Sequence, residues 1–475
     1  MGSPTLLAWT VIILCLPVSL IIVSRWRPAI SVPIVILSAH MFLPPKVGLE
    51  LPGLPLVIDK NIIPQWSALI GCLIFWPKSL AGAKPGRGLD LFIVLRILGF
   101  LGSCLTNRDP LIFPRGFVPG LSLYTFVSGS IAIILYWWPV IFLGRTLIRT
   151  SRDLRNLFTI LASAATIYTF FAIIEMIVSP QLNRWVYGFH ATNFDQEVKG
   201  NHYRPMVFMG HGLAVAFFLS VSIMATAGLA KIKARVFGFR ARLVAIYLIV
   251  ILVMCHSLGA LIYVVLTVPL IAFASVRTQT RIASVVALLA FSYPISRAAN
   301  LVPVDDINAF VLERFGQDRA GSLGLRLTEE AYVMNRALER PVFGWGGGAR
   351  SFRLDPVYGT NTTTTDGLWA IELGQHGGVG FGCLFGMLLY PVWRSRRALS
   401  RLTSAQDRTL VACLALIGAV YMVELIPNSS VDPYITFFVG VLSRAVTLGL
   451  APDPSAVVTT RQRWSPRRVN LEGAS

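Results

Sequence analysis

The sequence predicts an all-α, polytopic membrane protein, with one transmembrane domain over 1–450 holding about 12–13 spanning helices and a short basic tail over 451–475. Three observations predict this. Of 475 residues, 55% are hydrophobic and only 14% charged, with a mean hydropathy of +0.66; soluble domains carry about 25% charged residues. Apolar runs recur along nearly the whole chain, at or near the roughly 20-residue length that crosses about 30 Å of hydrocarbon. Lysines and arginines gather in alternate connections, as cytoplasmic loops require.

In chain order the apolar segments are 6–24, 29–44, 63–76, 89–105, 122–143, 156–178, 206–229, 243–256, 259–276, 282–299, 366–390, 410–426 and 434–450. The first has the hydrophobicity of a signal peptide but no small-residue cleavage pattern, so it reads as a retained helix. Segments 29–44 and 63–76 are short. The run 243–276 is too long for one helix, and His256-Ser257-Leu258-Gly259 is the expected break. With this count, Arg25/Arg27, Lys78/Lys84/Arg87, Arg145/Arg149/Arg152/Arg155, the Lys231–Arg242 cluster, Arg277/Arg281, the Arg394–Arg408 cluster and the tail arginines all fall on one side. That side is the cytosol, the N-terminus lies outside and the C-terminus inside. The net charge of +19 therefore records topology and not a nucleic-acid partner. The tail is rich in Pro, Ser and Arg and is expected to be disordered and drawn to anionic lipid.

Cys15, Cys72, Cys104, Cys255, Cys383 and Cys413 all lie in or beside apolar runs without a CxxC pair, which argues against a disulfide framework or a thiolate metal site. Polar chemistry is concentrated in the outer connections, above all 179–205 and 300–365. A loop as long as 300–365 in a compact protein is usually functional. Within it, RLTEEAYVMNRALER (326–340) has helical spacing of Leu327, Ala331, Met334 and Leu338 and an acidic start, and it should break at Pro341.

Three stretches carry candidate site residues. In YRPMVFMGHGLAVAF (203–217), Arg204 stands where an outer loop enters a helix and His211 about two turns further in. Arg204 is either an interfacial anchor or a cation for a phosphate; His211 is either a packed helix histidine or part of a site. In 323–346, Arg326 precedes Arg336 and Arg340, which are four apart and share a helix face. They are either a solvated face paired with Glu329, Glu330 and Glu339 or a diphosphate clamp, since guanidinium forks match phosphate oxygens and stay charged. In FGWGGGARSF (343–352), Gly344 and Gly346 permit positive φ, and successive amides can form an anion nest. Trp345 suits a membrane boundary or a sugar face.

The order of these parts resembles the superfamily of O-antigen ligases and O-antigen polymerases. The likeness is carried by RPMVFMGHGLA at a helix entrance, SLGA (257–260) at a helix break, and R-L-x(13)-P-V-F-G-W-G in a long outer loop. TDGLWAIELGQHGGVG (365–380), opening the next helix, completes it; together these cover roughly 200–390. The resemblance implies a GT-C-like helical membrane fold in the bacterial cytoplasmic membrane. It also implies transfer of a glycan from an undecaprenyl-diphosphate carrier to an acceptor hydroxyl outside that membrane, without nucleotide sugar or metal. By position, Arg204 and Arg326 match the arginines that hold the lipid diphosphate. Where the ligases carry a histidine in an H-N-x-x-L pattern, this chain reads D-G-L-W from Asp366, and Leu258 stands where relatives often have arginine. Asp366 would then serve as general base or orient the acceptor hydroxyl. Its alternative is a plain helix-start aspartate. The missing histidine tilts the expectation from ligation towards polysaccharide polymerisation. A transporter or flippase of lipid-linked sugars is the rival reading; it would predict charged pairs at mid-bilayer, broken helices in corresponding halves of the chain and small outer loops. Inside the apolar runs, Arg96, Glu175, Glu372 and Glu424 are expected to be paired structurally, with Glu372 and His376 four apart on one face.

Overall fold

The computed structural model describes residues 2–50, 56–192, 194–199, 202–363 and 365–453. The tail from 454 onward, expected to be disordered, lies outside them. Among the described residues are 17 α-helices. They are α1 (Leu6–Arg25), α2 (Pro28–Phe42), α3 (Ile63–Phe75), α4 (Pro77–Leu80), α5 (Asp90–Thr106), α6 (Leu123–Leu147), α7 (Ser151–Val178), α8 (Leu182–Tyr187) and α9 (Gly212–Lys231). There follow α10 (Ala241–Met254), α11 (Leu258–Phe273), α12 (Val276–Ala298), α13 (Val304–Phe315), α14 (Gln317–Leu338), α15 (Leu368–Ala398), α16 (Ala405–Glu424) and α17 (Pro433–Thr447). Every apolar segment read from the sequence coincides with one of these. Of them α1, α6, α7, α9 and α16 are long and apolar enough to cross a membrane, and five more are apolar but shorter. The architecture is that of an all-α membrane protein. Four two-stranded antiparallel ribbons lie in connections: β1 (Gly48–Glu50) with β2 (Val57–Asp59), β3 (Leu111–Phe113) with β4 (Gly116–Val118), β5 (Val198–Lys199) with β6 (His202–Tyr203), and β7 (Arg235–Val236) with β8 (Phe239–Arg240).

α9 and α16 are buried almost all round and form the centre of the bundle. α1 and α11 instead leave Ile13, Ile21, Val265, Leu266 and Phe273 exposed, as a lipid-facing surface does. The connections sort into two groups that touch within themselves. In one, Thr5 N–H donates to Tyr187 O, Lys60 to Phe208 O, Arg115 N–H to Val357 O, Asn107 to Gly344 O, and Leu368 N–H to Asn428 O. In the other, Arg145 pairs with Asp90, Ser151 with Asp407, Lys231 donates to Ala274 O, and Ala451 N–H to Arg149 O.

Several helix boundaries depart from the expected ones, two of them beside candidate site residues. α9 begins at Gly212, not near 206. Residues 205–211 wrap instead around the buried Glu175 carboxylate, which accepts the amides of Met206 and Val207 at 2.7 Å each and that of Leu182 at 2.9 Å. Val207 takes φ 49° to do so. α15 begins at Leu368, so Asp366 precedes the helix instead of opening it.

The glycine-rich stretch finds its explanation in α15. Gly377 has φ 63° and ψ −166°, which interrupts the helix there. An interruption normally strands carbonyls on one side and amides on the other. Segment 341–346 supplies both sets of partners. Trp345 N–H donates to Gly374 O at 2.9 Å and Gly346 N–H to Gln375 O at 2.7 Å; Gly378 N–H donates to Pro341 O at 2.7 Å and Val379 N–H to Val342 O at 3.1 Å. The loop is thus spliced into the helix. The approach is so close that a Cβ on Gly344 would lie 2.5 Å from Gly377 N, and one on Gly377 would lie 2.4 Å from Val342 O. Just beside the splice, Arg96 on α5 pairs with Glu372, whose other oxygen lies 3.2 Å from His376 Nδ1.

Candidate functional site

A cavity of about 560 Å³ opens at the end of the bundle where the longer connections meet. Its lining includes Arg204, His211, Phe217, Arg326, Asp366, Glu424, Asn428, Ser430 and Asp432. Arg204, His211, Arg326 and Asp366 each arrive on a different element, while Glu424, Asn428, Ser430 and Asp432 come from the end of α16 and the connection to α17.

Arg204 follows β6. Its backbone N–H donates to Glu197 O at 2.8 Å, and its Nη2 to His256 O at 3.3 Å, in the break between α10 and α11. It is 9% exposed, and its Nε has no protein partner. Burial pulls its guanidinium below its ordinary range while Glu197 opposes. The side chain lies directly over Gly212, where a Cβ would sit 2.4 Å from Arg204 Cδ. Only glycine fits between this arginine and the start of α9.

His211 is the N-cap of α9, and its Nδ1 accepts Leu213 N–H at 3.0 Å. Glu197 Oε1 accepts Gly212 N–H at 3.0 Å and lies 3.4 Å from the same Nδ1. A carboxylate at a helix N-terminus is stabilised by the unpaired amides there. Burial holds the His211 imidazole below its usual value; Glu197 opposes this, and Arg204 and Arg326 reinforce it. With Nδ1 accepting from Leu213, the ring carries its proton on Nε2 and presents Nε2–H as a donor.

Arg326 comes from the middle of α14. Its Nη2 lies 3.5 Å from Asp366 Oδ2, and both side chains are partly exposed. Glu424 closes α16; its Oε2 accepts the Tyr263 hydroxyl at 2.8 Å and its Oε1 accepts from Asn428 Nδ2 at 2.7 Å. Asp432, the N-cap of α17, is buried. Burial and the nearby Glu424 push its carboxyl up to about 7 against the opposing charge of Lys60.

Of the residues the sequence singles out, Arg204, His211, Arg326 and Asp366 share this cavity. Arg336, Arg340, Trp345, Gly344 and Gly346 are not among its lining and form a second cluster. The Arg336 and Arg340 guanidinium carbons lie 3.5 and 4.4 Å from the centre of the Trp345 ring. Trp345 Nε1 donates to Arg336 O at 2.7 Å, Arg336 pairs with Glu339, and Arg340 donates to Thr106 O. The amides of Gly344, Trp345 and Gly346 all donate to carbonyls, so these three do not form an anion nest. Those of Trp345 and Gly346 mend α15, and that of Gly344 donates to Arg340 O at 2.9 Å.

Sequence reading missed Asp432, Asn428 and Ser430, and it took Glu424 only as a structural partner. A signal existed: NSSVDP (428–433) is the sole polar interval between the last two apolar segments. Among the described residues no three His, Cys, Asp or Glu side chains converge as a metal site. The arrangement can bind an anion on two guanidinium groups, and it can move a proton through carboxylates beside them. Set against known proteins, the chain matches no family profile and no curated protein.

Proposed function

We propose that this protein moves a glycan from an undecaprenyl-diphosphate carrier to an acceptor sugar hydroxyl at the outer face of a bacterial cytoplasmic membrane. The observation that carries the reading is one cavity lined by both Arg204 and Arg326, far apart in sequence and on different elements. Both are the arginines that the O-antigen ligase and polymerase resemblance assigns to the lipid diphosphate. The cavity opens among connections that the positive-inside count assigns to the exterior.

In this mechanism the diphosphate sits against the two guanidinium groups. Negative charge grows on it as the anomeric carbon–oxygen bond breaks. Fixed cations in a partly dry site stabilise that growing charge more than the ground state. Direct displacement inverts the sugar carbon. His211 donates a hydrogen bond through Nε2 to a phosphate or sugar oxygen, and Asp366 holds Arg326 in register. With aspartate in place of the ligase histidine, polymerisation is favoured over ligation.

The test is reconstitution in nanodiscs with a lipid-diphosphate oligosaccharide. The expected result is lengthened chains with inverted linkage. Arg326→Ala and Arg204→Ala should each lower kcat/KM by at least about 100-fold, the loss expected when a donor to developing charge is removed. Full activity in either variant, or uptake of lipid-linked glycan without transfer, would overturn the reading.

A further inference from the structure

The three carboxylates of the cavity are not equivalent. Asp366 is exposed and lies against Arg326. Glu424 has a hydrogen-bond donor on each oxygen, Tyr263 on one and Asn428 on the other. Asp432 is buried, yet the nearest basic side chain is His40 of α2, whose Nε2 lies 3.9 Å from its Oδ1. His40 is 5% exposed, and both of its ring nitrogens lack a hydrogen-bond partner. A fully buried imidazole with two idle nitrogens is costly unless it serves a purpose. Its ring is held 4.9 Å from that of Tyr434, whose hydroxyl is also buried and unpaired. Lys60 is tied to the carbonyls of His40 at 3.3 Å and Phe208 at 3.1 Å. Behind the cavity wall, then, stands a buried polar column that opens to the cavity through Asp432.

We propose that Asp432 is the residue that takes the proton of the attacking hydroxyl, and that His40 is the positioning residue behind it. This rests on the glycosyl-transfer reading and names the base that reading needs. The acceptor oxygen bonds to the anomeric carbon. The bond from that carbon to the diphosphate oxygen breaks, and its electron pair leaves with the diphosphate. The hydroxyl proton passes to the Asp432 carboxylate. A general base needs an oxygen free to face the hydroxyl and a proton affinity near the working pH. Asp366 is ion-paired to Arg326 through Oδ2 and each Glu424 oxygen already accepts a hydrogen bond, whereas Asp432 has, among the described residues, neither an arginine partner nor a side-chain hydrogen bond and so keeps the freest carboxylate of the three. The groups that face it are Glu424 and Tyr421 from α16, His40 from α2, Lys60 from the connection before α3 and Tyr434 from α17. Lys60 stabilises the anion and Glu424 opposes it, so a carboxylate able both to accept and to release a proton near neutrality results.

The experiment uses full-length protein in nanodiscs with a synthetic lipid-diphosphate oligosaccharide and compares Asp432→Asn, Asp432→Glu, His40→Gln and Asp366→Asn. Asp432→Asn should lose 10²–10⁴-fold in kcat, roughly the worth of general-base catalysis, while KM for the donor stays within about threefold. The acid limb of the wild-type kcat profile, near pH 7, should vanish from the residual rate. Asp432→Glu should recover part of the activity, and His40→Gln should move that limb without abolishing turnover. Retention of kcat by Asp432→Asn, an unmoved acid limb, or loss of kcat only in Asp366→Asn would overturn the assignment. Thermal-shift titration with undecaprenyl diphosphate checks the fold: an Asp432→Asn protein that no longer binds it assigns Asp432 a structural role and also overturns the proposal. A wild type that never transfers glycan defeats the underlying reading itself, whatever the variants do.

Discussion

Gly377→Ala tests the splice that joins the long loop to α15. At φ 63° and ψ −166° the residue occupies a region essentially reserved for glycine, and forcing an L-residue there costs about 1–3 kcal/mol. The new Cβ would meet Val342 O at 2.4 Å, Val342 C at 2.5 Å and Gly344 N at 2.6 Å, all backbone atoms that cannot rotate aside. Relief requires the loop to withdraw, which sacrifices the Gly378–Pro341 and Val379–Val342 hydrogen bonds. Each is worth about 0.5–1.5 kcal/mol net. The sum is a destabilisation of about 2–6 kcal/mol. Gly382→Ala is the control: it lies on the same helix, and its Cβ would meet nothing within 4 Å. It should be neutral or stabilising by about 0.5–1 kcal/mol, the usual gain of alanine over glycine in a helix. The assay is denaturant unfolding in detergent followed by tryptophan fluorescence. Equal midpoints for the two variants would refute the reasoning. Gly344→Ala meets Gly377 N at 2.5 Å, so the double variant should cost less than the two single costs added.

Glu372→Ala leaves the buried Arg96 guanidinium without its carboxylate and should destabilise by about 3–5 kcal/mol, whereas replacing both partners with methionine should cost far less; unfolding midpoints decide. Trp345→Phe removes the N–H to Arg336 O and weakens two cation–π contacts, so it should cost about 1–2 kcal/mol with donor KM unchanged. A large rise in KM would return Trp345 to the substrate. Asp432 also makes stability depend on pH. Its folded-state carboxyl is raised from an unfolded value of 3.8 to about 7. The stability it contributes is therefore complete below about pH 4 and is lost as pH rises through 7. Asparagine does not titrate, so Asp432→Asn should be more stable than wild type at pH 8, with the advantage shrinking towards pH 4; a pH-independent difference would contradict this.

Much of the architecture was legible because lipid imposes a strong constraint on composition. Each apolar run became a helix, and the break expected at His256–Gly259 is present but falls at 255–257, with α10 ending at Met254 and α11 starting at Leu258. The amphipathic stretch at 326–340 lies in α14 as far as Leu338, and its buried residues are Glu329, Glu330, Val333, Met334 and Ala337, while Leu338 stays exposed. Boundaries failed where tertiary contacts override local preference. α9 starts late because Glu175, far back in the chain, captures the amides of Met206 and Val207. The two halves of the site differ in the same way. Arg204 and Arg326 stand out because charge is rare and costly in such a chain. Asp432 does not, because a single acid in a short polar interval looks like an ordinary helix cap until His40 and Lys60 are seen behind it.

The glycine–tryptophan–arginine stretch shows why local chemistry misassigned it. Glycines, a tryptophan and flanking arginines suit an anionic ligand, and the sequence alone cannot reveal that α15 breaks and offers stranded carbonyls. Once Trp345 and Gly346 donate to Gly374 and Gln375, the segment becomes a backbone graft. Arg336 and Arg340 then clamp Trp345 from the end of α14. This ties α14 rigidly to α15, and those two elements carry Arg326 and lead in Asp366. The 3.5 Å pair that borders the cavity is therefore set by a joint that does not itself line it. A consequence separates positioning from stability. In the surviving folded fraction, Gly377→Ala should lower kcat by loosening Arg326, because an offset of about 1 Å in a catalytic group costs on the order of 100-fold. Turnover per folded molecule equal to wild type would show that the joint holds the fold together without placing the arginine.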